Sequence, residues 1–368
     1  MRVLMISKAL LVGAYQTKLE EIARHDDVDL TVIVPPSWND PSGVIKLERQ
    51  HTNGYRLLVD PIRFNGQFHT HYYPRLKERI AALKPDIVHM DEEPYNLATW
   101  LAVRHARTYG AKSLFFSWQN INRTYPLPFR IIEKQVLAQV DYALMGNQDA
   151  ATVWQAKGYT SPYQIIPQFG VDPQLFCPPE KRDRGRGFVI GSANRRLVPE
   201  KGVDLLIQAV AKLPGIWRLH IAGEGSERPY LEQLAQQLGI RDRVQFDGAI
   251  SSAHMPAYLQ QLDVLALTSR TLPNWKEQFG RILIEAMACE VAVVGADSGE
   301  IPHVIGSAGL TFPEDDANAL HTHLRHLLQS ETLRDKLGQA GRQHVLAHYT
   351  QRQIAEQTVV VYREMLSN

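Results

Sequence analysis

The chain has 368 residues, 44% hydrophobic and 21% charged, and its 40 Lys+Arg against 39 Asp+Glu leave a formal charge of +1. That length exceeds one ordinary core and predicts two domains, while the near-neutral balance removes the electrostatic case for a dedicated nucleic-acid binder. No biased tract suggests disorder, and no uncharged apolar run reaches the ~18 residues of a membrane-spanning helix.

In chain order, "MRVLMISKALLVGAY" is apolar but interrupted by Lys8 and followed by no small-residue cleavage site. It reads as a first strand and loop, not a signal peptide. "DVD" at 27–29 matches a metal-binding DxD, but it lies between a helix and a strand, at the wrong end of a sheet, and reads as solvated turn acids. "VDLTVIV", "DIVHM", "SLFFSW", "YALMGN" and "YQIIPQ" then alternate with helical patterns. Strands apolar throughout and separated by helices predict a parallel sheet covered on both faces. "MDEEPYN" at 90–96 follows one strand and reads as an acidic loop in water, with contact to acceptor hydroxyls as the alternative. "RTYPLPFRIIEKQVL" at 123–137 reads as a domain helix with an apolar face, or as a contact to a lipid-linked acceptor at a membrane surface.

Prolines, glycines and a charge run break both periodicities in "FGVDPQLFCPPEKRDRGRG" at 169–187, the expected linker. This predicts domains at 1–168 and 188–345, with 346–368 as a C-terminal helix crossing back to the first domain. "GFVIGSA", "WRLHIAGEG", "VQFDG", "VLALTS", "VAVVGA" and "GLTFP" repeat the strand series in the second half. The expected fold is therefore α/β, with two doubly wound parallel-sheet domains facing across a cleft, and ligands collecting at the carboxyl ends of the strands. "GEG" at 223–225 lacks the third glycine and first-strand context of a dinucleotide fingerprint, which disfavours NAD. Cys177 and Cys289 form no metal spacing and suit a reducing, cytosol-like compartment as packing residues.

Two stretches carry chemistry. In "GSANRRLVPEKGVDLLIQAV" at 191–210 a strand ends in a loop with Arg196 and Lys201 before a helix, a pair of cations suited to a diphosphate or to plain solvation. In "NWKEQFGRILIEAMACE" at 274–290, Glu285 sits among Ile282, Leu283, Ile284, Ala286 and Met287. A buried carboxylate needs a partner, either an internal Arg or backbone group, or a ligand. Glu277 precedes it by eight residues, and Gly280 opens the helix so that the N–H groups of Gly280, Arg281 and Ile282 form an anion site.

"RLVPEKG" followed by "EQFGRILIE" resembles the retaining, nucleotide-sugar-dependent glycosyltransferases of the two-Rossmann GT-B type, family 4. "IPQFGVDPQLF", "IAGEGSERPYLEQLA" and "SGEIPHVIGSAGLTFPEDD" extend the likeness in order, and the N-terminal half is similar in layout with weaker motifs. The resemblance implies transfer of a hexose from a UDP- or GDP-linked donor to a carbohydrate, lipid-linked or small-molecule acceptor. No cofactor or essential metal is expected. The location implied is cytoplasmic, or peripheral at the inner face of a membrane. Arg196 and Lys201 would hold the diphosphate, Glu277 the donor sugar, and Glu285 the ribose, so that a ribose and not a protein cation completes Glu285. The main chain from Phe279 through Gly280 to Arg281 would meet sugar and phosphate oxygens, and the base would lie near Gly223 and Phe246. Where relatives carry a glycine pair after the first strand, this chain has Gly13 alone, and where they carry a histidine after the fourth strand it has Gln119. An amide bonds a sugar hydroxyl but supplies no imidazolium. The rival readings are a nucleotide-sugar-binding protein with lost turnover and a nucleotide-sugar epimerase on the same fold.

Overall fold

The computed structural model describes residues 1–41, 43–182, 185 and 187–367; Asp183, Arg184 and Arg186 of the expected linker lie outside the described residues, as do Ser42 and Asn368. The chain divides into two compact units, Met1–Gly170 with Gln351–Asn368, and Val171–Thr350.

The first unit runs β1 (Arg2–Ile6), β2 (Asp29–Val34), the antiparallel hairpin β3 (Ser37–Asp40) and β4 (Gly43–Lys46), β5 (Arg56–Val59), β6 (Ile87–Met90), β7 (Lys112–Ser117), β8 (Tyr142–Met145) and β9 (Tyr163–Ile165). Seven of these form a parallel sheet in the order β5-β2-β1-β6-β7-β8-β9. All four residues of β6 and of β8 are buried, as strands covered by helices on both faces require. Helix Gln351–Ser367 belongs to this unit: Ile354, Ala355, Val359 and Tyr362 enter the same core as Leu19 and Ile22. Its Tyr362 hydroxyl lies 2.6 Å from His89 Nδ1 on β6. Burial holds His89 well below the ordinary histidine pKa, so this contact joins two neutral groups.

The second unit runs β10 (Phe188–Arg196), β11 (Trp217–Glu224), β12 (Val244–Gly248), β13 (Val264–Leu267), β14 (Ala292–Ala296) and β15 (Leu310–Phe312). They form a parallel sheet in the order β12-β11-β10-β13-β14-β15. The strand order reverses direction at β10 and β13, so the connections leaving these neighbours go to opposite faces and open a crevice beyond their carboxyl ends. Helix Val203–Val210 buries six of its eight residues against this sheet, which fixes the loop that precedes it. Both units are α/β and doubly wound, as the alternating pattern predicts.

Candidate functional site

The chain leaves β10 at Arg196, makes a short turn over Pro199–Lys201, and enters helix Val203–Val210 through Gly202. Gly202 has φ 58°, and a Cβ there would run into the Thr268 carbonyl in the loop after β13. Only glycine permits that approach without strain. The Thr268 hydroxyl donates to the Lys201 carbonyl at 3.0 Å, so the turn and the loop after β13 are tied at the crevice.

This tie brings together two groups that the sequence reading gave to different parts of a ligand. Lys201 Nζ donates to Glu277 Oε2 at 2.7 Å, and Ser269 Oγ donates to the same oxygen at 2.8 Å. The side chains are 20% and 12% exposed, so the pair is neither sealed in the core nor freely solvated. The ammonium also lies 4.6 Å from the Trp275 ring centroid. An ammonium has three donors, and Glu277 uses one. Gly299 (φ 56°) lies against the Glu277 backbone, and Glu300 N–H donates to the Glu277 carbonyl at 3.2 Å, so the loop after β14 braces this carboxylate. Arg196, at the exposed end of β10, stands opposite Glu224 in the strand register.

Helix Arg281–Ala288 starts at Gly280 in the left-handed conformation (φ 75°, ψ 50°), where a Cβ would come within 2.9 Å of Leu267 Cδ2. Glu285 is 9% exposed, and Arg281 Nε, one turn earlier, lies 2.8 Å from its Oε1. The expectation that no protein cation completes Glu285 is therefore corrected: the i,i+4 spacing of the helix supplies one. Burial still raises the Glu285 pKa, with Arg281 opposing the shift. Phe279 is buried with its ring edge-on to Tyr349 at 5.7 Å, which makes the side chain a packing group and leaves its main chain as the part that can meet a ligand.

On the other flank, Gly223 has φ 129°, and a Cβ there would run into the Asn194 carbonyl of β10. The Phe246 ring is flanked by the guanidinium groups of Arg228 at 5.7 Å and Arg241 at 5.6 Å. Arg228 is itself paired with Glu224 and Glu232. Sequence reasoning placed the ring near a nucleobase and missed these cations.

In the first unit the structure places Gly13 and Gln119 in internal roles. Gly13 N–H donates to Glu48 Oε2 at 2.7 Å, and the Gln50 side chain covers its Cα. Gln119 is buried; its Nε2 donates to the Ile121 carbonyl at 3.1 Å and its Oε1 accepts from Tyr125 Oη at 2.7 Å.

The acidic loop after β6 is the largest correction. Asp91 and Glu92 are each 4% exposed, not solvated. Glu92 accepts from Lys8 Nζ at 2.5 Å and lies 2.7 Å from His71 Nε2; despite burial, which pushes the other way, the His71 ring and the Lys8 ammonium hold its carboxyl down at about 2. Asp91 accepts from Ser7 Oγ at 2.7 Å and from Gln168 Nε2 at 2.9 Å, and burial raises its pKa. Glu93 accepts from Ser117 Oγ at 2.5 Å and from the Trp118 N–H at 2.8 Å, and burial pushes its carboxyl up to about 7. The cause is the sheet register: β1 pairs with β6, Ile6 opposite Met90, which brings Ser7 and Lys8 beside Asp91 and Glu92.

Asp27 and Asp29 of the DxD-like triplet pair with Arg363 and Arg56. Among the described residues no group of three or more His, Cys, Asp and Glu could hold a metal ion, and no helix is long and apolar enough to cross a membrane. Cys177 and Cys289 are free thiols, the latter buried.

Residues 184–344 match the family described as glycosyl transferases group 1. The chain is 30% identical over 243 residues to an MMP alpha-(1->4)-mannosyltransferase of Mycolicibacterium hassiacum, covering 64% of this chain and 57% of that protein. It is 33% identical over 198 residues to a GDP-mannose-dependent alpha-(1-6)-phosphatidylinositol monomannoside mannosyltransferase of Mycolicibacterium smegmatis, covering 49% and 51%. The chain thus spans about half the length of the curated relatives it matches. Among solved structures, Anabaena HepE in complex with UDP superposes with a TM-score of 0.74 at 17% identity, covering 99% of this chain and 100% of that one. That likeness shows the fold, which is GT-B.

Proposed function

We propose, from the match of residues 184–344 to the glycosyl transferases group 1 family, that the protein is a retaining glycosyltransferase moving a hexose from a UDP- or GDP-linked donor to a hydroxyl acceptor. The observation that carries the reading is the Lys201–Glu277 pair at the carboxyl ends of β10 and β13, 2.7 Å apart and partly open to solvent. A cation and a carboxylate side by side match the two ends of a nucleotide-sugar linkage. Lys201, with Arg196, takes the diphosphate, and Glu277 takes hydroxyls of the sugar. Glu285 meets the ribose with the carboxylate oxygen that Arg281 does not hold. The main chain of Phe279, Gly280 and Arg281 offers N–H groups to phosphate and sugar oxygens. The names of the two mannosyltransferases and the UDP of the structural neighbour support a nucleotide-sugar donor; a glycolipid, polysaccharide or small glycoside is the acceptor class.

In the reaction the bond from the anomeric carbon to the leaving phosphate lengthens through an oxocarbenium-like state. Negative charge grows on the diphosphate, so Lys201, Arg196 and the helix N–H groups bind the transition state more tightly than the ground state. Attack from the same face, with the leaving phosphate taking the acceptor proton, retains the anomeric configuration. The glutamates bind hydroxyls and do not act as the nucleophile and acid of a retaining hydrolase.

One observation favours a second reading. Both ends of the Gln119 amide are spent inside the first unit, which suits a protein that binds the donor without turning it over. A thermal-shift panel with UDP, GDP and ADP, on the native chain and on Lys201→Ala, tests the pocket. The expected result is stabilisation by one nucleoside diphosphate that the variant loses. A cooperative melt moved by none of them would sink both readings. Release of nucleoside diphosphate from the donor only when an acceptor is added selects the transferase over the binding protein, and interconversion of the donor sugar without acceptor would select an epimerase.

A further inference from the structure

Gln119 stands at the end of a hydrogen-bond chain that begins at a carboxylate with no role in the reaction described above. Glu93 Oε2 accepts from Ser117 Oγ, and Oε1 accepts from the Trp118 N–H. Ser117 Oγ in turn accepts from Trp154 Nε1 at 2.7 Å and from the Gln119 N–H at 3.1 Å. A serine hydroxyl has one proton to give and two lone pairs to fill. Here all three are used, and the proton can go only to Glu93.

The consequence is a carboxylate whose two oxygens both face donors. Ionised, Glu93 satisfies Ser117 and Trp118 together. Protonated, it adds a hydrogen to a carboxyl whose two oxygens already face donors: at Oε1 the proton meets the Trp118 N–H, and at Oε2 it meets a hydroxyl whose lone pairs are filled. Relief requires Ser117 to turn away, which breaks the link to the Gln119 backbone. Burial of Glu93 brings this conflict into the neutral range.

We propose that Glu93 is the positioning residue of segment 117–119: ionised, it holds the segment through the Ser117 hydroxyl and the Trp118 N–H, and protonated, it releases it. A part for this segment in turnover rests on the transferase reading, whereas the linkage from Glu93 to segment 117–119 does not. The other charged and titratable groups facing Glu93 are Lys8 from the segment after β1, Glu92 on its own loop, and Tyr95 and Tyr125, whose tilted rings lie 4.3 Å apart, with Arg123 beside them. His69 packs against both tyrosines at 5.3 Å. Burial lowers its pKa.

The test combines the ligand-free protein with turnover. Trp118 and Trp154 both touch the chain, so intrinsic fluorescence is followed from pH 5.5 to 8.5 for the native protein, Glu93→Gln and His69→Asn. A step near pH 7 is expected in the native protein and in His69→Asn, and no step in Glu93→Gln. Consumption of the donor selected by the thermal-shift panel should rise about tenfold from pH 6 to pH 8 in the native protein, as one ionisation requires. In Glu93→Gln it should stay flat at the lower level, with the donor KM unchanged and the loss confined to kcat. Where Glu93→Gln does not fold, Ser117→Ala removes the hydroxyl from the other side of the same bond and should shift the step. A step that persists in Glu93→Gln overturns the proposal, as does donor consumption that ignores pH while the step follows Glu93. A Glu93-dependent step in a protein that turns over no donor supports the switch and counts against the transferase reading alone.

Discussion

Both units gather charged side chains at the carboxyl ends of a parallel sheet, yet they use them oppositely. In the second unit Lys201 and Glu277 are 20% and 12% exposed and stand in loops at the crevice. In the first, the side chain of Lys8 is 15% exposed and that of Glu92 only 1%, and Glu92 is closed in by Lys8 and His71. One pair is open enough for a ligand to compete for it, and the other is a structural part of its domain. The same place in a doubly wound fold therefore does not define a binding site; exposure and the partners already present do.

The sharpest way to break this contrast is to remove one partner from each pair. Glu92→Gln leaves Lys8 and His71 without their buried anion and should cost about 3–5 kcal/mol in urea unfolding at pH 7. Because the folded pKa of Glu92 is depressed to about 2, its contribution is complete above the ordinary carboxylate pKa. It fades as pH falls from there toward 2, so native protein and variant should converge in acid. A cost below about 1 kcal/mol, in the range of surface pairs, would show the cluster to be open to water. Lys201→Ala should do the reverse, lowering kcat by about 10²–10³-fold, the scale of a lost electrostatic stabiliser, while unfolding free energy changes by less than about 1 kcal/mol. A Lys201→Ala protein that turns over normally would remove the site assignment.

Within the first unit, adjacent carboxylates should titrate with opposite sign. Glu93 is raised to about 7, so the folded state prefers its protonated form. Its penalty is absent below the ordinary carboxylate pKa and grows as pH rises through 7, reaching about 3 kcal/mol at most. Unfolding measured at pH 5 and pH 8 should show this loss in the native protein and not in Glu93→Gln. An equal slope in both would place the titration elsewhere.

Much of the fold could be read from residue pattern, because twelve apolar runs coincide with strands. The missed ones are instructive. β3 carries Ser37, Asn39 and Asp40 around one buried Trp38, and β5 is an edge strand reading Arg56-Leu57-Leu58-Val59, so neither shows a continuous apolar run. In the second unit, Lys201, Glu277, Gly280 and Glu285 lie in two stretches whose residue types carry the chemistry. Their mutual contacts depend on β10 and β13 being neighbours, a relation no local pattern displays. The burial of Glu92 has the same cause: its ammonium partner Lys8 is distant in sequence and adjacent only through the β1–β6 register. Gln119 was read for what its side chain could offer a sugar, and the Tyr125 hydroxyl that occupies it comes from a loop with no regular pattern.

The smallest effect decides what Glu285 is for. Arg281 pairs with it across one helical turn, the two side chains 35% and 11% exposed. Glu285→Gln keeps the shape, gives up that ion pair and also relieves the burial of a charge, two terms of opposite sign that leave stability within about 1 kcal/mol. If the carboxylate were kept only to pair with Arg281, nothing else should change. If it meets a ribose diol, the amide replaces an acceptor of two hydroxyl protons with a group that accepts at one end and donates at the other. Nucleoside diphosphate affinity should then fall about tenfold, or about 1.4 kcal/mol. Calorimetric titration of the variant separates the two: unchanged affinity would make Glu285 a helix-stabilising residue like any other i,i+4 partner, and weakened affinity without lost stability would mean that a helix otherwise apolar around this position keeps a carboxylate for its ligand.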